Sequence, residues 1–114
     1  MLVAISIPIF SSQLEKARES VDLSNVRAAY AEVMSAALTN DTNPDSDTGV
    51  TYTSTSKEWK KEVDLKQAKA DWQTDTTGME LGGVKFADWN GTPSANGKGT
   101  VTYTEADGVT ISFS

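Results

Sequence analysis

The longest pattern in the chain is a helical one. Leu23, Val26, Tyr30, Val33 and Ala37 recur at alternating steps of three and four, and Met34 and Leu38 widen the stripe. That spacing places them on one face of an amphipathic helix that has a surface to cover. From Ser11 to Leu38 there is no Gly or Pro, and Ala, Glu, Gln, Arg and Leu, all good helix formers, dominate. No stop signal precedes Thr39-Asn40-Asp41-Thr42-Asn43-Pro44. Upstream, Met1 to Phe10 reads MLVAISIPIF, apolar except for Ser6 and Pro8. The run is about half of the ~20 residues a membrane span needs, so it reads either as the second half of a span or as a buried N-terminal strand or helix turn of a soluble protein. Between the two lies a charged collar of Glu15, Lys16, Arg18, Glu19 and Asp22, at spacings that allow local ion pairs. One helix from about Leu2 to Leu38 would be ~55 Å long, with a kink expected at Pro8. That exceeds the width of a domain this small, so part of the helix is expected to protrude or to lie in an assembly.

The remainder changes period twice. Thr39 to Thr55 is polar and reads as a loop, with a short strand at Val50-Thr51-Tyr52-Thr53. Ser56 to Trp72 has helical composition, and Thr55 with Glu58 fits a capping box. A short second helix is therefore predicted, with Trp59, Val63 and Ala70 on one face and Leu65, Ala68 and Trp72 on another. From Gly78 the period is two. Val84 and Phe86 alternate with Lys85 and Ala87, and a loop of turn formers covers Asn90 to Gly99. Val101, Tyr103 and Glu105, then Val109, Ile111 and Phe113, predict an antiparallel hairpin. A three-residue Ala106-Asp107-Gly108 loop would pair Tyr103 with Ile111 and Val101 with Phe113. The expected fold is α+β: a long helix packed on a small C-terminal antiparallel sheet. Residues 1–38 form the helix, with 1–13 as its exposed apolar segment, and residues 39–114 form the head. The expected helix–sheet core is Leu23, Val26, Tyr30, Val33, Ala37, Val101, Tyr103, Ile111 and Phe113.

Composition narrows the chemistry. The 114 residues carry 10 basic and 16 acidic side chains, a formal charge of −6, with 14 Thr and 12 Ser. Such a chain lacks the basic surface that supplies most affinity for nucleic acid. There is no Cys and no His, which removes disulfides, thiolate or imidazole metal sites and every His-based triad. Nothing positions a carboxylate pair for catalysis, and no cofactor motif is present. Asp41, Asn43, Asp45 and Asp47 offer alternate oxygen ligands as a calcium loop does. The loop lacks Gly at its sixth position and has Tyr52 at its twelfth, so a solvated polar loop is the default. Asn40-Asp41-Thr42 and Asn90-Gly91-Thr92 match the N-glycosylation sequon and should lie in exposed loops. The five lysines between Lys57 and Lys69 are interleaved with acids, which reads as a solvated face. Trp59, Trp72 and Trp89 read first as core and second as a platform for a sugar or peptide.

The apolar run ending Leu2-Val3-Ala4-Ile5-Ser6-Ile7-Pro8-Ile9-Phe10, the polar collar, the long amphipathic helix and the Thr/Gly-rich β C-terminus together resemble the type IV pilins. The resemblance covers about the first third of the chain, through Ala37, and is most specific from Ala4 to Phe10. It implies that the chain begins inside the family's apolar segment, after the leader, the Phe and the Glu that mark the mature start. It implies a structural, non-enzymatic subunit of an extracellular filament, with the N-terminal methylation typical of such subunits. Copies of the chain would be partners through Ile5, Ile7, Pro8, Ile9, Phe10 and Leu14. The membrane would hold the subunit before assembly, and pilus assembly machinery would act on it. A pseudopilin of a type II secretion or competence system is the alternative within the superfamily. A small glycan- or peptide-binding domain is the alternative outside it.

Overall fold

A computed structural model describes residues 2–44 and 48–114, with side-chain surroundings described from Gln13 onward. One helix, α1 (Leu2–Leu38), is followed by β1 (Thr51–Thr53), β2 (Glu58–Asp64), β3 (Glu80–Leu81), β4 (Val84–Lys85), a 3-10 turn (Phe86–Asp88), β5 (Lys98–Thr104) and β6 (Gly108–Phe113). The expected α+β arrangement is present: the long helix lies on a small antiparallel sheet of order β1-β2-β5-β6. β3 and β4 form a separate short hairpin within the crossover from β2 to β5.

α1 runs unbroken through Pro8. It ends where the turn formers begin. Asn40 adopts φ 52°, the Asp41 amide donates to the Ala36 carbonyl and the Asn40 amide donates to the Ala37 carbonyl. This is a Schellman closure, with Asn in the left-handed position. Val26, Ala29, Val33 and Ala36 are buried against the sheet, flanked by half-buried Leu23, Tyr30 and Ala37.

Alternation sorts the sheet into two faces. Trp59, Val101, Ile111 and Phe113 are buried on the helix side, joined by half-buried Tyr52, Val63, Tyr103 and Val109. The opposite face carries Thr51, Thr53, Lys60, Glu62, Thr100, Thr102, Thr110 and Ser112. Gly99 lies on the helix side between β2 and β6, where a Cβ would come within 2.9 Å of Val26 Cγ2. The missing side chain lets α1 approach the sheet. All nine expected core residues lie in this cluster or against it.

Two expectations change. No helix forms over 56–72: Glu58–Asp64 is β2, paired with both β1 and β5, and Thr55 with Glu58 caps nothing helical. The only further helical element among the described residues is the 3-10 turn, so Phe86 does not extend a strand. Helical composition yields here because β2 fills the gap between β1 and β5 and satisfies both their backbones. The C-terminal hairpin is also slipped by two residues. Val101 pairs with Ile111, Tyr103 with Val109 and Gly99 with Phe113, and Glu105, Ala106 and Asp107 make the connection. A two-residue slip leaves the same side chains inward, so the apolar pattern does not distinguish the registers. The turn does: Gly108 takes φ 74° as the first residue of β6, and the Asp107 amide donates to Thr104 Oγ1.

Candidate functional site

The buried stripe of α1 does not stop at Val26. Stepping back by four and three residues from it reaches Asp22, Glu19 and Glu15, and all three are buried. Their partners are backbone amides of the segment that follows β2. Asp22 accepts from the amides of Lys66 (2.6 Å) and Gln67 (2.9 Å). Glu15 accepts from Ala68 and Lys69, each at 3.0 Å. Glu19 accepts from Gln73 (2.8 and 3.1 Å) and Thr74 (3.0 Å). The segment has no regular structure of its own, so these amides would otherwise be orphaned against the helix. Three carboxylates thus clasp residues 66–74 to the collar of α1. Gln67, fully buried, ties the segment to itself by donating Nε2 to the Lys69 and Asp71 carbonyls. Its Oε1 and Thr74 Oγ1 are buried with no protein partner.

The collar is therefore not a set of exposed ion pairs. One local pair exists, Arg18 to Glu15 at 3.4 Å; Lys16 stays exposed, and Glu19 and Asp22 face inward. Burial pushes the Glu15 carboxyl up, but the amides of Ala68 and Lys69 and the Arg18 guanidinium outweigh it. The carboxyl sits below its ordinary 4.5. A group held lower in the folded state stabilises fully above the unfolded value and loses that contribution as pH falls through the folded value. The melting temperature should therefore drop below about pH 4.5. In Glu15→Gln, already less stable at neutral pH, that acid limb should be shallower. Melting curves from pH 7 to 3 check this, and parallel limbs would contradict it.

The other candidates fare unevenly. Asp41 and Asn43 form a local turn, with Asp41 Oδ1 accepting the Asn43 amide. Asp45 and Asp47 lie outside the described residues, and no group of three metal-binding side chains occurs among the described ones. Asn40 and Asn90 are exposed, as the sequons suggested. Trp59 is buried and donates Nε1 to the Asp41 carbonyl. Trp72 and Trp89 pack on each other and on Phe113, and Trp89 donates Nε1 to the Val84 carbonyl. These rings are engaged in packing among themselves. The lysines lie in the turn before β2 (Lys57), on β2 (Lys60, Lys61) and on the clasped segment (Lys66, Lys69), not on a helix. Lys61 points inward and pairs with Glu32 of α1 at 2.9 Å.

Of the expected filament interface, Leu14 is 40% exposed. Ile5, Ile7, Pro8, Ile9 and Phe10 belong to α1, and their side chains lie outside the described part. Among the described residues no helix carries an apolar stretch long enough to cross a membrane.

Comparison with protein-family models, curated proteins and solved structures finds no match. The clasp residues were missed from sequence because charged positions are read as exposed. The signal that finds them is the step of the stripe itself, continued backwards through the collar.

Proposed function

We propose that this chain is a structural subunit of an extracellular type IV pilus-like filament, held in a membrane before assembly and built into the filament through the first third of α1. The observation that carries the reading is the mismatch between helix and head. α1 has 37 residues, and its buried positions, described from Gln13 onward, run from Glu15 to Ala36. The molecule measures 60 × 29 × 18 Å, the long axis being the length expected of such a helix. An apolar sequence, Leu2 to Phe10, continues the helix beyond the last clasped turn. Apolar surface of that kind is stable only against lipid or other protein, and copies of the same helix provide the latter.

Phe10→Asp tests this. On this reading Leu2 to Phe10 lies outside the head, so the substitution should leave the melting temperature within a degree or two, since changes away from a core stay within about ±0.5 kcal/mol. In cells that assemble the protein into filaments, the same substitution should abolish them in electron micrographs. A melting temperature lowered as far as by a core substitution would make Leu2 to Phe10 part of an ordinary core and overturn the reading.

A further inference from the structure

Around the last clasped turn of α1 the exposed charges are mainly basic, with Asp64 and Asp71 at the edges. Between Gln13 and Arg18 the basic residues are Lys16 and the half-buried Arg18, which pairs with Glu15, and between Leu65 and Ala70 they are Lys66 and Lys69. The only acid in either stretch, Glu15, is buried. The clasp brings the two stretches together, because the Lys69 amide is bound to Glu15 and the Lys66 amide to Asp22. Their side chains are left at the surface, beside the end of the head from which the apolar sequence extends. The other six basic residues are spread among the 16 acids of the chain. Of the nearest exposed acids, Asp64 is paired with Lys98, and Asp71 accepts the amide of Trp72.

We propose that Lys16, Arg18, Lys66 and Lys69 form a basic rim that seats the head on an anionic phospholipid surface while the apolar helix is held in the bilayer. The inference rests on the filament-subunit reading, which supplies the membrane-held state. Each Lys or Arg near an anionic membrane surface strengthens association about fivefold. The net charge of −6 opposes this only weakly. Charges screen over ~8 Å at physiological salt, so acids farther along the head contribute little at the surface. The rim is also held in place: its two loop lysines are fixed through their backbones, so seating orders only side chains.

The test is flotation of the chain with vesicles of phosphatidylcholine alone and of phosphatidylcholine with about a third phosphatidylglycerol. Binding to the anionic vesicles should exceed binding to the neutral ones and fall steeply as salt is raised. Lys66→Glu with Lys69→Glu should lower anionic binding by about twentyfold or more, with neutral binding unchanged. Both side chains are exposed, so melting should be unaltered; Lys66→Gln with Lys69→Gln gives the same direction without new acids. Equal binding to the two vesicle types, or wild-type binding by both double variants, would overturn the proposal. So would a charge-reversed chain that binds vesicles normally but changes its sedimentation, since the rim would then face a second copy. Micrographs of the Phe10→Asp strain judge the filament reading separately, so the two failures are distinguishable.

Discussion

Val33→Asp should unfold the head at room temperature or leave it barely folded. Val33 is fully buried at the centre of the α1 stripe, among Val26, Ala29 and the inner face of the sheet. No cation is paired there, so an ionised carboxylate would be stranded, and a neutral one would still lack partners and leave lost packing behind it. The expected cost is at least ~4 kcal/mol, against a total of ~5–15 for a domain of this size. Val21→Asp, on the same helix but 50% exposed, should cost less than about 0.5 kcal/mol. Urea unfolding of both variants measures the contrast. Similar midpoints would mean that α1 does not pack on the sheet through the stripe assigned to it.

Glu19→Ala should cost about 3 kcal/mol, although it removes a charged residue from the surface of no pocket and no ion pair. The substitution strands the amides of Gln73 and Thr74 and leaves a void where the side chain was. Hydrogen bonds to charged acceptors contribute roughly 1.5–3 kcal/mol each, and an unmet buried donor costs a similar amount. Hydrogen exchange gives the local readout. The amides of Gln73 and Thr74 should lose protection first, while those of β5 and β6 should change only with global stability. A variant as stable as the wild type would mean that water replaces the carboxylate at no cost.

Legibility from sequence varied with the range over which each residue finds its partner. α1 was readable because Leu23, Val26, Tyr30, Val33 and Ala37 answer to one surface at one period. β5 and β6 were readable because Val101, Tyr103, Ile111 and Phe113 alternate. β2 was not. Its inward positions are Trp59, Lys61 and Val63, and the lysine breaks the period-two pattern. What makes Lys61 acceptable inside is Glu32, 29 residues away on α1, and local patterning does not see it. The clasp failed for the same reason in stronger form. Glu15, Glu19 and Asp22 look like a solvated collar because the groups that need them are backbone amides, which have no sequence signature. The hairpin register turned on a slip of two, to which side-chain alternation is blind.

The clasp also ties together stretches of chain that are distant in sequence. Its hydrogen bonds join residues 44 to 55 positions apart. Closing loops of that size costs chain entropy before any bond offsets it. The carboxylates and residues 66–74 are therefore neighbours only in the folded head. Lys66 and Lys69 take their places beside the collar through the same amides. The basic rim is thus a property of the folded head alone, and an unfolded chain would present its charges scattered.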